Sequence, residues 1–226
     1  MFKYILFDLD GTLTDPKIGI TRSVQYALYA LGIDEPSLDR LEPFIGPPLA
    51  DSFREFYGLN EEQIAVAIAK YRERFAQQGI YENEIYPGIS EMLAELKRKG
   101  KILAIASSKP TLFVEQILDY FDIRKYFDFV VGSNMDGTRS RKEEVVEEAL
   151  RQMVSAEMIP SEKKDTVVMV GDRKFDIEGA KAQGITSVGV SFGYASEGEL
   201  EQAGADFTVN SVELLSAMLT LGTVQQ

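Results

Sequence analysis

Uninterrupted runs of apolar residues occur along the chain at 4–7, 102–106, 129–131 and 167–170, and each run ends in a polar cluster. Continuous rather than alternating apolarity predicts strands buried on both faces, as in a parallel sheet. Between these runs the spacing becomes helical, over 89–99 stopped by Gly100, 112–120, 142–153, and 177–183 stopped by Gly184. A weaker strand at 187–190, another near 207–209 and a helix over 212–221 complete a pattern of roughly thirty residues per repeat, which is the size of a βαβ unit. The alternation predicts an α/β core.

Residues 15–85 break the rhythm, carrying helix patterns and no convincing strand. Ile20, Val24, Ala27, Leu28 and Leu31 fall on one helical face, and Ile64, Ile68, Tyr71 and Phe75 on another. Turn signals flank the block at Asp15-Pro16 and at Tyr86-Pro87-Gly88. The expected organisation is therefore a core of residues 1–15 and 86–226 with an inserted α-helical cap of residues 16–85. Pro47-Pro48 is expected to shape a turn between cap helices.

Composition narrows the chemistry sharply. Among 226 residues there is no cysteine and no histidine. Thiol nucleophiles, disulfides, cysteine or histidine metal sites and a Ser-His-Asp triad are excluded. What remains is carboxylate, lysine and hydroxyl chemistry. A formal net charge of −12 disfavours nucleic acid as a partner. The opening MFKYILFDLDGT lacks the apolar run of a signal peptide, and no stretch has the length of a membrane span, so a cytoplasmic protein, monomer or homodimer, is expected.

Polar residues that follow the predicted strands form a chemically coherent set: Asp8 with Asp10, Ser107, Lys142, and Asp172 with Asp176. Ligands of open α/β sheets bind outside the carboxyl ends of the strands, where these groups would converge. Asp8 and Asp10 flank Leu9, so an extended backbone aims both carboxylates to one side. A carboxylate attacking phosphorus gives an acyl phosphate and divides one hard displacement into two, the step expected of Asp8. A second carboxyl that gives a proton to the leaving oxygen and later takes one from water is the role expected of Asp10.

Crowded carboxylates facing a phosphoryl group call for a hard cation, Mg²⁺, with Asp8, the Asp10 backbone carbonyl and Asp172 as expected ligands. Asp176 is expected in the outer shell, orienting Lys142 or a water. Lys142 and Ser107 would bind the phosphoryl oxygens. Singly, each residue has a plainer reading, since aspartates after strands also cap helices and Lys142 lies in the charged run 139–143. Arg139 and Arg141 are alternatives to Lys142. No Walker sequence and no G-x-G-x-x-G occurs, and an EF-hand is ruled out because a β-like run precedes Asp8.

The motifs Asp8-Leu9-Asp10-Gly11-Thr12-Leu13-Thr14-Asp15, IASSKP around Ser107, GTRSRKEEV around Lys142, and Gly171-Asp172-Arg173-Lys174-Phe175-Asp176 resemble those of the haloacid dehalogenase superfamily. The likeness is to the phosphoglycolate phosphatase-like branch, with a helical cap between the first two motifs. That resemblance implies a Rossmann-like core, Asp8 as nucleophile, Asp10 as acid/base, Ser107 and Lys142 as phosphate ligands and Asp172 as an Mg²⁺ ligand. It implies a phosphatase of small phosphorylated metabolites, with phosphoglycolate as first expectation. A 5′-nucleotidase, a pyrophosphatase, a sugar-phosphate mutase and a non-catalytic phosphate-binding regulator are the alternatives. The third motif departs from the Lys-Pro-x-Pro form of the branch, so Lys142 rests on position. Cap residues Lys17, Arg22, Arg54 and Arg72 are candidates for a second anionic group or for solvated charge.

Overall fold

The computed structural model describes residues 2–159 and 166–221; Met1, 160–165 and 222–226, and with them the outer ends of the expected core, lie outside the described residues. In chain order the elements are β1 (Tyr4–Phe7), β2 (Thr14–Asp15), α1 (Lys17–Ala30), α2 (Leu49–Tyr57), α3 (Glu61–Gln77), β3 (Glu84–Ile85), α4 (Ile89–Arg98), β4 (Ile102–Pro110) and α5 (Thr111–Tyr120). They continue as β5 (Phe129–Ser133), α6 (Lys142–Ser155), β6 (Val167–Gly171), α7 (Lys174–Gln183), β7 (Thr186–Val190), α8 (Glu199–Ala203), β8 (Phe207–Val209) and α9 (Val212–Leu221). The chain forms two compact units, one running through Thr14 and resuming at Ile85, the other Asp15–Glu84.

The larger unit is built on a six-stranded sheet in the order β5-β4-β1-β6-β7-β8. All five strand pairings are parallel. β1 sits between β4 and β6, with Phe7 beside Ile105 on one side and Val170 on the other. Every residue of β1 and of β6 is buried, which is why both read as unbroken apolar runs. The α/β expectation is met by a doubly flanked parallel sheet.

One face of the sheet holds α6 through Val145, Val146, Ala149 and Met153, which pack with Leu6, Ala104, Ala106, Val131 and Met169 in a single core cluster. Burying an aliphatic side chain of this size stabilises by about 1.5–3 kcal/mol. That packing fixes the start of α6, and with it Lys142, against the ends of β1 and β4. α7 begins three residues before its apolar period does. Asp176 Oδ2 accepts the Arg173 backbone N–H at 3.0 Å, a reach back to the N-cap that starts the helix inside a polar stretch.

The smaller unit is helical. α1 buries Ile20, Val24, Ala27 and Leu28, and α3 buries Ile64, Ala67, Tyr71 and Phe75, with the two helices packed on each other. Leu31 and Ile68 are half-buried at the edges of these faces. Asn60 and Gln63 exchange side-chain and backbone hydrogen bonds of 3.0 Å that cap α3, and α2 starts directly after Pro48. The two-residue strands β2 and β3, absent from the sequence pattern, pair with each other where the chain passes between units.

Candidate active site

Asp8 follows β1 and is tied to the neighbouring strand by its N–H, which donates to Val170 O at 2.9 Å. Ser107 follows Ala106 at the end of the regular part of β4, Asp172 follows β6, and Lys142 is the first residue of α6. All are buried. The carboxyl ends of the three adjacent central strands thus deliver these groups to one place, as the switch point of an open sheet requires.

The centre is a lysine among carboxylates. Lys142 Nζ stands 2.8 Å from Asp8 Oδ1 and 2.9 Å from Asp176 Oδ1, and donates to the Ala106 carbonyl at 3.0 Å. Burial opposes its charge, but Asp176 and Asp8 outweigh burial and raise its ammonium above the ordinary lysine value. Arg141 is exposed, and Arg139 is engaged with Gly132 O and Asn134 Oδ1 at 3.0 Å each. Of the three basic candidates, Lys142 is the one that reaches Asp8.

Asp8, Asp172 and Asp176 each bring a carboxylate oxygen within 4.8 Å of the others. Asp176, expected in the outer shell, is part of this cluster as well as a partner of Lys142. Burial, followed by the charges of Asp176 and Asp8, raises Asp172 well above the usual carboxylate range. Burial likewise raises Asp176, opposed by Lys142. One ammonium shared by Asp8 and Asp176, with the carboxylate of Asp172 beside them, leaves a negative excess, and oxygen-only donors suit Mg²⁺, so the residues present fit a hard divalent cation.

Asp172 is held from three directions. Its Oδ1 accepts Thr12 Oγ1–H at 3.3 Å and its Oδ2 accepts the Tyr194 N–H at 2.8 Å. Gly193 lies so close that a β-carbon there would stand 2.4 Å from Asp172 Cβ and 2.3 Å from the Gly11 carbonyl. The loop that brings Gly193 and Tyr194 is itself anchored by Glu199, which accepts from Arg173 Nε, the Lys174 N–H and the Ser196 N–H at 2.8, 2.9 and 3.1 Å.

Asp10 stands apart from the carboxylate cluster. Its Oδ2 is 2.7 Å from Lys109 Nζ, and burial lifts its carboxyl above the ordinary value while Lys109 pulls it down. Lys109, Thr12, Gly193 and Tyr194 were not singled out from sequence. Lys109 gave no usable signal, because it lies past the apolar run 102–106, in a part of β4 where the register with β5 shifts and regular alternation fails. Tyr194 contributes a backbone N–H, for which sequence offers none. On the helical unit, Lys17 pairs with Asp39 and Glu42, Arg22 with Glu82, and Arg54 with Asp51 and Glu61. Burial lowers the pKa of Arg72.

Residues 5–190 match the family model described as haloacid dehalogenase-like hydrolase. The chain belongs to that family. It is 47% identical over 196 residues to a 5′-nucleotidase of Pseudomonas aeruginosa, covering 87% of this chain and 86% of that one. It is 32% identical over 225 residues to a phosphoglycolate phosphatase of Vibrio parahaemolyticus, covering 96% of each. The crystal structure of a predicted phosphatase from Clostridium acetobutylicum superposes with a TM-score of 0.91 at 44% identity, covering 99% of this chain and 100% of that one. Among the described residues, no helix of this haloacid dehalogenase-like hydrolase is long and apolar enough to cross a membrane.

Proposed function

We propose that this hydrolase is an Mg²⁺-dependent phosphatase of small phosphomonoesters that works through a phosphorylated Asp8. The observation that carries the reading is the Asp8–Lys142–Asp176 arrangement beside Asp172, with Asp10 held separately. A carboxylate positioned by a buried ammonium, next to a second carboxyl two residues on, is what a two-step displacement at phosphorus uses.

In the first step an Asp8 oxygen bonds to phosphorus as the ester P–O bond breaks, and Asp10 gives its proton to the departing oxygen. In the second, Asp10 takes a proton from the water that attacks phosphorus, and the P–O bond to Asp8 breaks, restoring both residues and releasing phosphate. Lys142 and the Ser107 hydroxyl hold the phosphoryl oxygens as charge spreads over them. Asp8, Asp172, Asp176 and the Asp10 carbonyl would hold Mg²⁺, which supplies charge neutralisation and polarises the P–O bonds.

The higher identity to the 5′-nucleotidase supports nucleoside monophosphates as the first substrates to try, ahead of phosphoglycolate. The inserted helical unit is proposed as the cap that carries substrate choice.

The test is phosphate release from nucleoside monophosphates, phosphoglycolate, sugar phosphates and pyrophosphate, with Mg²⁺ and with excess chelator, for wild type and Asp8→Asn. Metal-dependent release that vanishes in Asp8→Asn is expected. Undiminished turnover by Asp8→Asn would overturn the covalent route.

A further inference from the structure

We infer that Lys109 is a positioning residue for Asp10, delivered by a bulge in β4 and serving to hold the Asp10 carboxylate in line for proton transfer. This rests on the acid/base assignment of Asp10 made above and adds a second lysine to the site, with a task different from that of Lys142.

The pair is short and almost sealed. Lys109 Nζ lies 2.7 Å from Asp10 Oδ2, with the two side chains 6% and 10% exposed. Lysine is rarely buried this deeply without a specific partner, because its strongly hydrated ammonium is costly to remove from water. Lys142 is turned to Asp8 and Asp176, so the two cations divide the two carboxylates that do chemistry.

The backbone that brings Lys109 there is specially built. Ala106 pairs with Val131 and Pro110 with Ser133, so residues 107–109 of β4 stand opposite the single residue Gly132 of β5. Bulges re-aim side chains at strand ends, and this one carries Lys109 to Asp10. Ser107 Oγ accepts the Lys109 N–H at 3.4 Å, and Thr111 Oγ1 accepts the Gly132 N–H at 3.0 Å, fastening the bulge on both sides. A β-carbon at Gly132 would stand 2.4 Å from the Lys109 carbonyl and 2.7 Å from the Thr111 nitrogen. Both are backbone atoms with little room to give, so glycine at 132 is a requirement of the bulge.

Asp10 needs such a holder. It lies in a tight turn after β1, where the Leu9 carbonyl accepts from the N–H groups of Thr12, Leu13 and Thr14. A carboxyl that gives a proton in one step and takes one in the next must return to the same place twice, and misplacement by an ångström costs rate heavily.

Single-turnover cleavage with enzyme in excess isolates the first displacement. Two esters separate the roles: 4-nitrophenyl phosphate, whose phenolate departs without protonation, and glycerol 1-phosphate, whose alkoxide does not. Lys109→Met is expected to slow the alkyl ester about 10–100-fold and the aryl ester far less, with half-saturation little changed. Lys109→Arg should recover part of the loss. In an Asp10→Asn background, Lys109→Met should add less than about twofold on the alkyl ester, because a residue acting through Asp10 has nothing left to act on.

Equal losses on both esters, equal losses in both backgrounds, or a weaker half-saturation at unchanged rate would overturn the inference and make Lys109 a direct substrate contact. Should Lys109→Met fail to fold by circular dichroism, Lys109→Gln carries the same comparison. If Lys109→Met is neutral while Asp10→Asn is inactive, only this inference falls. If Asp10→Asn cleaves the alkyl ester normally, the acid/base assignment falls and takes this inference with it.

Discussion

The backbone N–H of Tyr194 donates to Asp172 Oδ2 over 2.8 Å, so a proposed metal ligand takes its orientation from a loop that follows β7, a different strand from its own. Partners of this kind commonly matter 10–100-fold in metal affinity. Gly193 is what lets the loop come so near.

Gly193→Ala is therefore expected to raise the Mg²⁺ concentration for half-maximal phosphate release by about tenfold or more, through displacement of Asp172. A magnesium titration of the variant beside wild type checks it. Superimposable titrations would show that the loop is not what orients Asp172.

Lys142→Met leaves Asp8 and Asp176 buried without their shared cation. Removing one partner of a buried ion network costs about 3–5 kcal/mol, a loss to be read from urea unfolding at pH 7 with chelator present. Burial already lifts Asp176 to about 6, so mild acid neutralises this partner of Lys142. The penalty should shrink as pH falls toward 5. A penalty unchanged by pH would point to lost packing instead.

Glu148 makes a pH-dependent contribution away from the site. Arg151 and Gln152 hydrogen-bond its carboxylate and hold its pKa down at about 2. A depressed folded-state value means stability that is present above the ordinary glutamate pKa and is lost as pH falls from there toward 2. Arg151 is largely exposed, which screens the pair, so Glu148→Gln is expected to cost about 0.5–1 kcal/mol at pH 7 and almost nothing near pH 2. Chemical denaturation at the two pH values measures the difference, and equal costs would remove the electrostatic explanation.

The strands were legible because a parallel strand buried on both faces keeps an unbroken apolar run, as β1 and β6 do. Asp8, Ser107 and Asp172 were legible as polar residues directly after such runs. α7 looked shorter than it is because its first turn is polar and owes its helical start to the Asp176 cap rather than to apolar period. α8 escaped notice because five residues with only Leu200 buried display no periodicity.

β4 runs on to Pro110, past the 102–106 expected, because its last residues are polar and their strand character depends on pairing with β5. The Lys109–Asp10 contact was illegible for the same reason. Local sequence does not announce a bulge whose room is made by Gly132, more than twenty residues later.

Because β1 lies between β4 and β6, Tyr4 must wait for Ile102 on one side and Val167 on the other. During synthesis β1 is made before either neighbour and keeps an open edge until β6 has followed, the condition in which strands invite wrong partners. Asp15–Glu84, by contrast, finds the partners of its helices within its own span, α1 packing on α3, before β4 is made. The carboxylate cluster assembles only when β6 joins the sheet, so a chain arrested before that point carries Asp8 without Asp172 and Asp176 beside it.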